Sequence, residues 1–541
     1  MYINRNNFFS KGIMRVTILV AFPFLSFAQK PNWQNLDLKT DSTFGISTEK
    51  AYSELLKGKK FTPVVVGVLD GGVDFNHEDL KSVIWINKKE KAGNGKDDDK
   101  NGYVDDVRGW NFLGSAKGSV SHEALELTRI IRRDQAKFDS LDVSAIKPKD
   151  LAAYQAYSAM KMVYDRKLNE AKNIVANIQG FKGVVDAMVK KIGKENPTAA
   201  DFAAFKPSND IETRLKSIMT EQLKDVTFAD FYKEQIVKGL EHYQDELQYN
   251  LNLNYDPRAE FVGDNYADSK ERFYGSNDVQ GPDASHGTHV SGIIAADRNN
   301  NIGVKGVANH VMIMGVRAVP DGDERDKDVA NSIRYAVDNG AKVLNMSFGK
   351  AYSWDKNIVD EAVKYAMSKD VLLVQAAGNE NENIDTAKNF PSRIYASGQI
   401  AGAYIVVGAS GFVNDSTLKA SFSNYGKTAV DVFAPGVNIN STVPGSKYEK
   451  YNGTSMASPV VAGLAALIRS YYPKLSALQV KDIIMKSVVK VDHNVSIKVR
   501  EETKSVPFSD LSVTGGVVNA YNALQMAASY DPKKSTGVSA K

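Results

Sequence analysis

Val64-Val65-Val66-Gly67-Val68-Leu69 carries no polar residue on either of its alternating faces, and it runs directly into Asp70-Gly71-Gly72. A strand with one wet face alternates apolar and polar residues. A run apolar on both faces is the pattern of a strand buried on both sides, as in a parallel sheet. Residues 343–346 (Val-Leu-Asn-Met) and 371–374 (Val-Leu-Leu-Val) repeat the pattern, and they alternate with helical spacing over 328–338 and 358–368. Strands alternating with helices predict an α/β fold: a doubly wound parallel sheet with helices on both faces. In such sheets reactive side chains sit just past the carboxyl ends of the strands, which is where Asp70 stands.

The middle of the chain has a different texture. Residues 121–260 hold only 4 of the 40 Gly, with 21 basic and 22 acidic residues, a helix-forming composition. Leu151, Tyr154, Tyr157, Tyr164, Leu168, Ala171, Ile174 and Ile178 recur at helical spacing behind Asp150 as N-cap, and a second periodic stretch covers 211–251. This predicts an all-α helical insertion over 116–254 between two parts of one α/β domain, 29–115 and 255–541.

Three further motifs also take up strand ends and helix starts. His286 begins His-Gly-Thr-His-Val-Ser-Gly, ahead of an apolar helical run. Asn379 ends Gln-Ala-Ala-Gly-Asn after the strand at 371–374. Ser455 lies in Gly-Thr-Ser-Met-Ala-Ser-Pro before the apolar run 460–468. Singly, each has a bland reading as a turn residue, a structural His or an N-cap. In the order Asp, His, Ser they resemble the subtilisin-like serine proteases, or subtilases (peptidase family S8). Asn-Met-Ser-Phe-Gly at 345–349 and Gly-Gly-Val-Val-Asn-Ala at 515–520 extend the likeness.

The resemblance implies a serine endopeptidase working through an acyl-enzyme, with Ser455 as nucleophile, His286 as base and Asp70 orienting the imidazole. A Ser hydroxyl is a weak nucleophile, and an imidazole that titrates near neutrality can take and return its proton. Asn379 and the Ser455 backbone N–H would form the oxyanion hole. Ser347, Phe348 and Gly349, with Ala376 and Gly378, resemble the two walls of the family's primary specificity pocket, small and uncharged enough for apolar or large side chains. Residues 318–321 are expected to pair with substrate as an added strand. Of the 7 His, His289 is read as a packed structural residue. The alternative reading is a catalytically silent subtilase-fold protein that binds a partner through its helical insertion.

Calcium is the expected cofactor, at one or two sites, with no organic cofactor. Asp97, Asp99, Asn101 and Asp106 have calcium-loop spacing around Gly102, although Arg108 stands where an EF-hand needs Glu. Asn300 in Asn299-Asn300-Asn301-Ile302-Gly303-Val304, together with Asp79, resembles the subtilisin calcium loop.

The remaining expectations concern compartment and partners. Residues 1–28 read as an export signal: Arg5, Lys11 and Arg15 precede an apolar stretch over 16–27 that ends in Ser26-Phe27-Ala28. A periplasmic, cell-envelope or secreted location follows, without a membrane span in the mature chain. No pro-domain is legible between that segment and Asp70. With 0 Cys, calcium and not disulfides would brace the fold. The net charge of +4 gives no footing for nucleic acid as a partner. The expected partners are a peptide or protein substrate and a partner of the helical insertion.

Overall fold

The computed structural model describes residues 29–141, 146–500 and 502–530. The export segment read in residues 1–28 lies outside the described residues. Two compact units emerge: one from residues 29–126 with 256–530, the other from residues 127–255.

The first unit is built on a nine-stranded sheet. Its strands are β1 (Val64–Asp70), β2 (Gly109–Asn111), β3 (Val311–Arg317), β4 (Val343–Met346), β5 (Leu372–Ala376), β6 (Tyr404–Ser410), β7 (Val432–Pro435), β8 (Val489–Lys490) and β9 (Gly516–Val517). They lie in the order β8-β9-β7-β6-β5-β4-β1-β3-β2, and every neighbouring pair is parallel except β8 with β9. From β1 the chain crosses to the edge strand β2 and returns inward to β3, then passes to the other side of β1 and steps outward from β4 to β7. The winding direction therefore reverses beside β1, the place where open α/β sheets carry their sites.

Apolar runs buried on both faces are explained by the two cores they serve. Val66 and Val68 of β1, Val343 of β4 and Leu372 and Val374 of β5 pack with helices α1 (Ser285–Ala295) and α4 (Thr454–Tyr471). The alternate residues Leu69, Leu344, Met346 and Leu373 pack with α2 (Asp326–Asp338) and α3 (Lys356–Ser368) on the opposite face. Each strand feeds both cores because side chains alternate along it. β5 reaches two residues past the predicted end. Its Gln375 is buried without penalty, since its amide donates to Pro391 O (2.8 Å) and accepts from the Tyr404 hydroxyl (2.9 Å).

The second unit is helical. One helix runs 42 residues, Leu151–Ile192, and ends on Gly193 in the left-handed region. Tyr157, Tyr164, Ala171, Ile178 and Val185 are its buried residues at seven-residue spacing, whereas Leu151 is 43% exposed. That repeat makes a narrow seam and not a broad apolar face. Ile178, Val185 and Met188 pack with Phe202, Leu215, Met219, Phe231 and Ile236 from the shorter helices that follow. Residues 116–126, read above as insertion, fall in the first unit. Their backbone is tied there by Val120 N–H to Leu113 O (2.7 Å) and Asp321 N–H to Ser121 O (2.8 Å). Among the described residues, no helix is long and apolar enough to cross a membrane.

Candidate active site

Asp70 ends β1 and His286 begins α1. Two glycines allow them to meet. A Cβ on Gly287 would stand 2.1 Å from the Gly72 carbonyl oxygen, and one on Gly72 (φ +148°) would stand 2.0 Å from that of Gln280. The close approach brings His286 Nδ1 to 2.7 Å from Asp70 Oδ1 and 2.9 Å from Oδ2. Oδ1 also accepts from the Gly71 N–H at 2.8 Å. The carboxylate is 2% exposed, so the bond works in a dry setting that fixes the ring's orientation. With Nδ1 occupied by Asp70, Nε2 is the nitrogen left for proton exchange; it is buried without a hydrogen-bond partner among the described residues.

Ser455 is the second residue of α4, at the helix's positive end. Its Oγ donates to the Ser347 carbonyl at 3.1 Å, so the bond to His286 is not made in this structure. The serine's backbone is held from below. Pro459 has no N–H to offer the Ser455 carbonyl four residues back, and Ser347 Oγ donates to that carbonyl instead at 2.9 Å. Ser347 Oγ also meets Asn345 Nδ2 and Ser458 Oγ, each at 2.9 Å. This buried network couples the end of β4 to the start of α4. Neither Asn345 nor Ser458 was singled out from sequence.

Asn379 follows β5. Its side-chain oxygen accepts from the Thr454 N–H (2.8 Å) and hydroxyl (3.0 Å), which turns the amide so that its NH2 end is the donor. His286, Ser347, Phe348, Gly349, Ala376, Gly378, Asn379 and Ser455 all line one cleft, along with Val319, Asp323, Glu324 and Glu380 among others. The structure thus brings together the predicted reacting, oxyanion and wall residues, with Asp70 behind the imidazole. A nucleophile, a base oriented by a carboxylate, and an amide donor facing one groove are the parts needed for acyl transfer.

His289 lies one turn beyond His286 and serves structure. Its Nε2 meets the carbonyls of Ile439 and Glu449, each at 3.0 Å, and its ring stacks on Tyr451. Burial depresses its pKa to about 3.

The metal candidates sort differently from the sequence expectation. Asp97 accepts from the Asn101 and Gly102 N–H groups and Asn101 from that of Tyr103, so these two side chains shape the turn. The oxygens that converge belong to Asp99, Asp106 and Glu90, all within 4.8 Å of one another. Glu90 carried no calcium-loop spacing and was not anticipated. One of its carboxylate oxygens accepts from the Asp99 N–H (3.0 Å), while the other is buried with no hydrogen-bond partner. Burial raises the Asp106 pKa to about 6. Crowded, partly dry carboxylates with an orphaned oxygen fit a hard divalent cation, which takes oxygen ligands. At the other candidate, Asp79 and Asn300 do meet, but Asp79 accepts from Asn300 Nδ2 (2.7 Å) and the Val304 N–H (2.9 Å). A cation there requires the Asn300 amide to turn its oxygen inward.

The model of the Subtilase family matches residues 62–504. A thermophilic serine proteinase from Bacillus sp. (strain AK1) is 44% identical over 187 residues, covering 34% of this chain and 43% of that protein. Subtilisin E from Bacillus subtilis (strain 168) is 42% identical over 203 residues, covering 37% of this chain and 49% of its own length. The chain thus spans about half the length of these curated relatives. Among solved structures, a protease from Pseudoalteromonas arctica aligns with a TM-score of 0.38 at 27% identity, covering 47% of this chain and 79% of that one.

Proposed function

This chain belongs to the subtilase family, and from that premise we propose that it is a serine endopeptidase that cleaves peptide or protein substrates through an acyl-enzyme. The observation that carries the reading is the buried 2.7 Å contact between His286 Nδ1 and Asp70, behind a cleft lined by His286, Ser455 and Asn379.

The steps follow from the atoms. Ser455 Oγ rotates away from the Ser347 carbonyl and gives its proton to His286 Nε2 as it attacks the substrate carbonyl. Asp70 steadies the imidazolium. The tetrahedral oxyanion accepts from Asn379 Nδ2 and the Ser455 N–H. Nε2 then passes its proton to the leaving amine as the C–N bond breaks, and water releases the acyl group by the same route.

Calcium would be held by Glu90, Asp99 and Asp106, with Asp79 and Asn300 as a second oxygen pair. Bound there, it would brace the loop 90–106 in a chain without disulfides. Residues 1–28 would direct export, so the protein recovered outside the cytoplasm should begin at Gln29. Hydrolysis of casein by the full chain, abolished in Ser455→Ala of unchanged Tm, tests the peptidase reading. Equal hydrolysis by both proteins would sink it.

A further inference from the structure

β1, β3 and β4 are parallel, so their first residues share one end of the sheet. The seven residues of β1 put that end about 20 Å from Asp70. Lys57-Gly58-Lys59-Lys60-Phe61 lies there, exposed along its length, and leads into β1. Backbone bonds hold it: the Thr62 N–H donates to Ser470 O (2.9 Å) and the Val64 N–H to His310 O (3.2 Å). Lys342 comes to the same end, since its N–H donates to Val65 O at 2.9 Å. Lys474, exposed just past the end of α4, completes the group.

Two features set this face apart from an ordinary solvated surface. First, none of Lys57, Lys59, Lys60, Lys342 and Lys474 pairs with a carboxylate among the described residues. The acids that flank these segments have partners of their own: Glu54 the Tyr521 hydroxyl, Asp338 the Arg272 guanidinium (2.9 Å) and Asp370 that of Arg469 (2.6 Å). The whole chain carries only +4, so five lysines without counter-ions are a local concentration. Second, they surround an apolar ring. Phe61 stacks on His310, yet stays 47% exposed. Tyr471 meets Phe61 edge-on, and Tyr472 lies under Lys59, whose Nζ donates to its hydroxyl at 3.2 Å.

We propose that this face docks on an anionic lipid bilayer, with the ammonium groups at the lipid phosphates and the exposed part of Phe61 among the headgroups. The negative potential of such a surface attracts each nearby lysine, which multiplies affinity about fivefold. The ring is what favours a bilayer over a soluble polyanion. A bilayer offers the ring an apolar boundary beside its charges, whereas a soluble polyanion leaves it wet. The face lies at the amino ends of the strands, so docking leaves the cleft at their carboxyl ends open to water. The inference is independent of the peptidase reading.

The test is co-sedimentation of the full chain with vesicles of phosphatidylcholine alone or of phosphatidylcholine mixed with phosphatidylglycerol. Wild type should bind the anionic vesicles at low salt, leave the neutral ones in solution, and be released as ionic strength rises. A triple variant, Lys57→Gln with Lys59→Gln and Lys60→Gln, should bind on the order of a hundredfold more weakly at unchanged Tm. Phe61→Ser should bind severalfold more weakly. No binding to the anionic vesicles, equal binding to the neutral ones, or a triple variant that binds like wild type would overturn the proposal. Phe61→Ser binding as tightly as wild type would make the face a site for any polyanion and overturn the bilayer assignment. The lipid and salt series need no variant, so a poorly folding variant leaves the test intact.

Discussion

The side-chain oxygen of Asn379 is held by both donors of one residue, Thr454, at 2.8 and 3.0 Å. The Thr454 hydroxyl also accepts from the Gly378 N–H at 3.1 Å, so the proposed oxyanion donor and the proposed pocket wall share an anchor. Removing a preorganised donor of this kind costs about 10²–10³ in kcat. Asn379→Ala should lose that much with KM little changed. Thr454→Val keeps the backbone bond and frees the amide in part, for a loss of about tenfold. Equal kcat for wild type and Asn379→Ala would remove Asn379 from the reaction.

Calcium should bind where Glu90 meets Asp99 and Asp106. Saturating calcium stabilises by about 2–3 kcal/mol at a hundredfold excess over Kd, enough to raise Tm by several degrees. Chelation should reverse the rise in wild type. Glu90→Gln, which removes the charge of the orphaned buried carboxylate, should shrink the chelator effect. A Tm in wild type indifferent to chelator would contradict the site, and an unchanged chelator effect in Glu90→Gln would move the ion elsewhere.

His289 should set part of the acid limit. Its folded pKa of about 3 lies below the unfolded value of about 6.5. The unfolded chain therefore binds a proton that the folded ring refuses. The stability this ring contributes is complete above about pH 6.5 and falls by about 1.4 kcal/mol per pH unit as pH drops toward the folded pKa. The cause is visible in the ring's contacts. Nε2 is committed to two carbonyls, and Nδ1 is buried with no acceptor for an added proton. His289→Gln should flatten the acid limb, with the variant gaining about 2 kcal/mol on wild type between pH 6.5 and 5. Parallel denaturation curves over that range would contradict it.

What the sequence made legible, and what it hid, divides along physical lines. The strand at Val64–Asp70 was readable because burial on both faces leaves no polar residue before Asp70. The candidate site residues stood out because each ends a strand or starts a helix within a recognisable motif. Gln375 hid the true end of its strand, since its burial depends on Pro391 and Tyr404, which no local pattern announces. Asn345 and Ser458 were missed for a related reason: the Ser458 hydroxyl donates to the Asn345 side chain across 113 residues of chain. Asp97 and Asn101 show the converse failure. Calcium-loop spacing counts oxygens but does not say which ones turn inward, and here these two cap backbone N–H groups. Glu90 converges with Asp99 and Asp106 in their stead.

The central claim is that Ser455 is a nucleophile activated by His286, although its hydroxyl rests on the Ser347 carbonyl. The most direct measurement is labelling of the full chain with a fluorophosphonate, followed by mass mapping of the adduct. One adduct per chain is expected, on Ser455. Labelling should be abolished in Ser455→Ala and slowed by several orders of magnitude in His286→Ala. Absence of an adduct in folded wild type, or labelling at Ser455 as fast in His286→Ala as in wild type, would contradict it.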